Sequence, residues 1–160
     1  MSILGNDFEL FEAVEDSTTR SVIGRLKKGT DLLNGIIEVC RTYHINSGSF
    51  QCIGSLAGVG YKQFEQKDDG TLLYAEPTII EEPAELLAGT GFIGLDEKDE
   101  LEVHYHGMFL DKRGNISGGH FIRGENPIAI TMEFIIHPTH DAMMKKQPDP
   151  DFNIPIFRFN

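Results

Sequence analysis

The sequence predicts an α+β fold in which a mostly antiparallel sheet packs against one main helix. Three observations carry this. Eight or nine short β-forming runs are separated by turn signals, one stretch alone has sustained helical periodicity, and many of the 17 glycines lie beside apolar runs. There is no internal repeat, no low-complexity segment and no linker long enough to divide the chain. A length of 160 residues with 40% apolar and 24% charged content suits a single soluble domain with a proper core.

Residues 1–16 read as an acidic arm with Phe8, Leu10 and Phe11 as apolar anchors, either packed along a sheet edge or mobile. The remaining residues, 17–160, read as one domain. Arg20–Leu26 is the first expected strand. Thr30 is the expected N-cap of the helix, and Asp31 favours its positive end. Leu32, Leu33, Ile36, Ile37, Cys40 and Tyr43 recur at helical spacing, so the helix should run from Asp31 to about Tyr43. His44 is placed to cap carbonyls at its end. Ser49–Leu56 is a buried strand. The turn after it, Ala57–Gly60, is no phosphate loop, because it lacks the Gly-Lys-Ser/Thr ending and does not lead into a helix. Ser55 lies in no nucleophile elbow. Tyr61–Glu65 and Thr71–Tyr74 form a hairpin around Asp69-Gly70. Pro77 and Pro83 bound an extended connection, and Ala84–Gly94 is a strand whose glycines suggest bending or close packing.

The chemistry concentrates in Val103–Ile122, which holds three of the six histidines. Leu101–Leu110 and Ile116–Ile122 alternate as strands, and Asp111-Lys112-Arg113-Gly114-Asn115 has the chemistry of a three-residue hairpin loop with Gly114 left-handed. Such a loop pairs Asp111 with Asn115 and so sets His106 opposite His120. His104, two residues back, points to the same face. Opposed residues have Cβ atoms roughly 5 Å apart, so the three imidazoles could converge on one metal ion. A four-residue loop would instead turn His120 to the other face. The alternative role for His104 and His106 is that of polar residues on a solvated strand face. Glu102 and Glu85 are candidate acid–base partners, or plain surface carboxylates.

Pro127–Ile136 is a strongly β-forming run, ended by the surface loop His137-Pro138-Thr139-His140. Asp141–Lys146 is expected as a short helical turn, Pro148–Asp151 as an extended crossing, and Asn153–Phe159 as a last strand. Cys40 and Cys52, without a CxxC, are expected to be buried free thiols in a reducing cytoplasm. No apolar run approaches the ~20 residues of a membrane span. The net charge of −11 argues against a polyanionic partner, since nucleic-acid affinity rests largely on Lys and Arg; the best candidates for a local basic patch, Arg25–Lys28 and Lys145-Lys146, are short.

The order of RLKKGTDLLNGIIEVCRTYHI, SFQCIGSL, AELLAGTGFIG, LEVHYHGMFLD, SGGHF and TMEFII resembles the Plants and Prokaryotes Conserved (PPC) domain in its stand-alone prokaryotic form. The likeness spans about residues 20–137, and QPDPDFNIPIFRF resembles the family's ending. The resemblance implies an antiparallel sheet of about seven strands against a helix, assembled as a homotrimer. It also implies that His104, His106 and His120 match the family's histidine cluster, a zinc-type (Zn2+) site. The plant proteins join this domain to an AT-hook, an Arg-Gly-Arg-Pro core. That tetrapeptide is missing here, so a DNA-binding role transfers by family label only, and an unknown protein or small molecule is the expected partner. Two functions follow: a metal-bearing trimeric binding module, or a zinc-dependent enzyme that activates water on three histidines.

Overall fold

The computed structural model describes residues 10–15 and 19–159. Thirteen strands and one helix follow one another as β1 (Phe11–Glu15), β2 (Val22–Lys27), α1 (Leu32–Thr42), β3 (Gly48–Leu56), β4 (Val59–Lys62), β5 (Phe64–Gln66), β6 (Leu72–Tyr74), β7 (Thr78–Ile80), β8 (Ala84–Leu95), β9 (Leu101–Asp111), β10 (Ile116–Phe121), β11 (Ile128–Pro138), β12 (Met144–Asp149) and β13 (Phe152–Phe159). The fold is α+β as expected, but its main sheet has eleven strands rather than seven. They are ordered β1-β2-β11-β3-β8-β9-β10-β4-β7, with the β12–β13 hairpin attached to β8 and β5–β6 forming a separate ribbon. Every pairing is antiparallel except the single contact of β12 with β8, at Lys145 and Leu95. Within the span read as an acidic arm, β1 extends the sheet edge along β2; residues 1–9 and 16–18 lie outside the described residues.

Helix α1 covers the inner face of the sheet with Leu32, Leu33, Ile36, Ile37, Val39 and Cys40, all buried. Its N-cap is Asp31 rather than Thr30. Asp31 has two acceptors where Thr30 has one: Oδ1 accepts from Asn34 N at 2.9 Å and Oδ2 from Asn126 N at 2.9 Å. Thr30 is buried, and its hydroxyl donates to Leu10 O at 3.3 Å. At the other end His44 takes a left-handed φ of 56°, and its backbone N–H, with that of Ile45, caps the carbonyls of Arg41 and Cys40. Facing the helix is an aromatic cluster. Phe50 stacks on Tyr105 at 5.3 Å, and Phe121 meets Tyr105 edge-on at 5.3 Å.

Three local expectations are corrected. His137 does not end its strand: it lies inside β11, and its Nδ1 is 2.9 Å from Ser21 Oγ. Asp141–Lys146 is not a helical turn, because Met144 onward forms β12. Pro148–Asp151 is not an extended crossing but the turn region of the β12–β13 hairpin, with Asp149 opposite Phe152. The prolines are tolerated because they lie at the end of an edge hairpin, where a ladder N–H can be spared. Strand β8 is packed closely at its glycines, and its irregularity lies outside them. Its pairing with β9 slips between Leu86 and Ala88, leaving Leu87 as the extra residue. No helix among the described residues is long and apolar enough to cross a membrane.

Candidate metal centre

The hairpin of β9 and β10 has the register that its loop chemistry predicts. Asp111 N donates to Asn115 O at 2.9 Å, Gly114 has φ +83°, and the Asp111 carboxylate accepts from the N–H groups of Arg113 and Asn115 at 2.8 Å each. His106 therefore stands opposite His120. On the neighbouring strand β8, Phe92 pairs with His104 and Thr90 with His106. Tyr105, between the two histidines, points inward and is fully buried. The alternation sends His104 and His106 to the outer face, away from the helix.

The three rings converge there. Their centroids lie 4.8 Å (His104–His106), 4.9 Å (His104–His120) and 5.4 Å (His106–His120) apart. One ring nitrogen from each falls within 4.8 Å of the others, a group that could hold a metal ion. His104 Nε2 and His106 Nε2 are 3.1 Å apart. His120 Nδ1 is shielded from solvent and has no hydrogen-bond partner among the described residues, a costly state for a polar atom unless something is bound to it. The donor set fits a divalent ion.

The electrostatics keep these rings neutral. Burial is the main cause, lowering His104 and His120 to about 4 and lowering His106 as well. Neighbouring imidazoles and the Lys146 ammonium add to the effect at His104 and His120, and Lys62 adds at His120. Neutral imidazole is the form that ligates. In metal-free protein the same shifts have a sign for stability. A histidine with a folded pKa below 6.5 takes up protons more readily when unfolded, so stability falls as pH drops from 6.5 toward about 4. Urea midpoints of chelator-treated protein should decline through that window, and His104→Ala or His120→Ala should flatten the decline. A flat profile for the unsubstituted protein would contradict the assignment. The carboxylates of Asp69, Asp96 and Asp111, held below 3.8 mainly by hydrogen bonds, matter only at lower pH.

The other histidines are not part of this cluster: His44 closes the helix, His137 bonds Ser21, and His140 lies in the loop after β11. Among the described residues no carboxylate belongs to the cluster either. Glu102 lies 3.8 Å from Lys146 Nζ and accepts from Val103 N at 3.1 Å, while Glu85 pairs with Leu110, four positions along β9 from His106. Sequence reasoning missed three neighbours. Tyr74 packs its ring 4.9 Å from His120, Phe157 lies 6.5 Å from His104, and Lys146 sits 5.7 Å over the Phe157 ring. Together with His104 and His120 they line a cavity of about 310 Å³. The only sequence signals were the Lys145-Lys146 pair and the apolar run of β13, neither of which points to a histidine site.

Comparison with known proteins agrees with the architecture. The profile of the Plants and Prokaryotes Conserved (PCC) domain matches residues 13–140. No curated protein matches the chain. Among solved structures, one from Bacteroides thetaiotaomicron, described provisionally as a DNA-binding protein, superimposes with a TM-score of 0.79 at 16% identity, covering 94% of this chain and 99% of that one. A metal-containing protein from Archaeoglobus fulgidus gives 0.73 at 18% identity, again covering 94% and 99%. A plant- and prokaryote-conserved protein from Pyrococcus horikoshii gives 0.72 at 18% identity, covering 97% of each chain.

Proposed function

The chain belongs to the Plants and Prokaryotes Conserved domain family, and we propose that it is a metal-binding homotrimeric module whose partner is a small molecule or another protein. The observation that carries the metal reading is the convergence of His104, His106 and His120, with His120 Nδ1 buried and unpartnered. Zinc is the metal proposed. Two nitrogens on a tetrahedral zinc, with Zn–N distances of about 2.05 Å, stand about 3.3 Å apart, close to the 3.1 Å between His104 Nε2 and His106 Nε2. The metal-containing relative from Archaeoglobus fulgidus is in keeping with this. Bound there, the ion would supply positive charge and an open coordination position.

The trimer is supported by the outer sheet face. Ile53 and Phe92 are about half exposed there, at 55% and 48%, beside a groove of about 430 Å³ lined by Ile53, Ala88, Thr90 and Ile135. An apolar face of this kind, next to the histidines, suits burial in a closed ring of identical chains. The buried free thiols Cys40 and Cys52, both raised to about 12 by burial, fit a reducing compartment such as the cytoplasm. Catalysis by activated water ranks second, because such a reaction needs a proton-transfer partner, and the candidate carboxylate Glu102 is engaged by Lys146 and Val103 N.

Native mass spectrometry of protein purified without an affinity tag reads both properties together. The expected species is three chains of 17.9 kDa carrying one zinc each. A single-chain mass at micromolar concentration, or a metal-free trimer that refuses added zinc, would count against the proposal. The charge of −11 also makes duplex DNA a poor partner. Fluorescence anisotropy at near-physiological salt should find no sub-micromolar binding; tight binding with a steep salt slope would restore the DNA-binding role.

A further inference from the structure

The β12–β13 hairpin folds over the sheet beside the histidines and closes one side of the 310 Å³ cavity. Its lining combines two chemistries: His104, His120 and the Lys146 ammonium, and beside them the apolar Ile154, Pro155 and Phe157, with the Tyr74 ring against His120. Lys146 is held in place rather than free in solvent. Its side chain is 24% exposed, its ammonium lies over the Phe157 ring, and its ion pair among the described residues, with Glu102, is long at 3.8 Å. An ammonium has three donors, so this one retains capacity for an acceptor in the cavity. A divalent ion on three neutral imidazoles would add two positive charges beside it, more than Glu102 offsets. Positive charge that is partly desolvated requires an anion.

We propose that this cavity binds a small organic carboxylate, its oxygens held between the three-histidine metal centre and Lys146 and its hydrocarbon body packed against Ile154, Pro155 and Phe157. The inference rests on the metal reading above and gives that site its ligand class. The apolar wall selects a carboxylate with an aromatic or branched body over a bare inorganic anion, and a cavity of this size admits one such molecule. Tyr74, whose ring is tilted 42° to that of His120 at 4.9 Å, adds an aromatic wall against which a ring can pack.

Benzoate is a suitable probe, with benzamide as its neutral counterpart and acetate as its truncated one. Calorimetric titration of the zinc-loaded full chain should show benzoate binding, with benzamide and acetate each weaker by about tenfold or more, since a lost charge-assisted hydrogen bond or buried ring is worth at least that much. Lys146→Met should weaken benzoate to a similar extent while zinc content, measured on the same sample, stays at one per chain. Stoichiometric zinc without benzoate binding, or binding undiminished in Lys146→Met, would overturn the carboxylate site and leave the metal centre standing. Benzoate binding that needs Lys146 but no metal would overturn the metal's part and keep the anion pocket. A chain that takes up neither zinc nor benzoate would overturn both.

Discussion

Gly89→Ala is expected to destabilise the protein by about 3 kcal/mol or more, the upper range for overpacking a well-filled core. A Cβ at Gly89 would lie 1.7 Å from the Tyr105 hydroxyl and 2.2 Å from its Cζ. Tyr105 has nowhere to retreat. It is fully buried, stacked on Phe50, edge-on to Phe121, and accepts a hydrogen bond from the Cys52 thiol at 3.1 Å. The glycine is thus required by close approach. It lets β8 lie flat on the aromatic cluster while Thr90 and Phe92 flank the histidines on the outer face. Gly114→Ala is the contrasting case. Nothing lies within 4 Å of its Cβ position, so the left-handed φ of +83° is the only penalty, about 1–2 kcal/mol. Urea denaturation of both variants separates the two causes. A loss at Gly89 no larger than that at Gly114 would show that the Tyr105 packing is softer than drawn.

The second large effect is on metal content. His104→Ala, His106→Ala and His120→Ala should each abolish stoichiometric zinc, because three imidazoles are the donor set among the described residues and losing one leaves two of those nitrogens for an ion that needs four ligands. His44→Ala, His137→Ala and His140→Ala should retain it. Metal analysis by mass spectrometry after tag-free purification checks this, and the second set controls for ions picked up on exposed histidines. Retention of full metal in both His106→Ala and His120→Ala would remove the site.

The sheet-and-helix class and the histidine register were legible for the same reason: each rests on local rules. The helix follows from apolar spacing at 3.6 residues, and the register follows from a loop in which Asp111 accepts two backbone N–H groups and Gly114 completes the turn. A one-residue slip would have turned His120 away. What escaped the sequence depends on distant pairing. Nothing local joins Lys146 to His104. The connection is made by Lys145 lying beside Leu95, through a hairpin whose prolines and Lys-Lys-Gln stretch show no strand alternation. Tyr74 reaches His120 from β6, in a ribbon outside the main sheet. Asp31 caps the helix through Asn34 N while its second oxygen accepts from Asn126 N, 95 residues away, and Thr30 bonds Leu10 O instead; neither distant bond leaves a local signal.

The most direct measurement is anomalous diffraction at the zinc edge from crystals of tag-free protein. One strong peak per chain, within bonding distance of ring nitrogens of His104, His106 and His120, is the expected result. A peak at His44, His137 or His140 instead, or no peak among the three rings in crystals grown with added zinc, would contradict the metal centre.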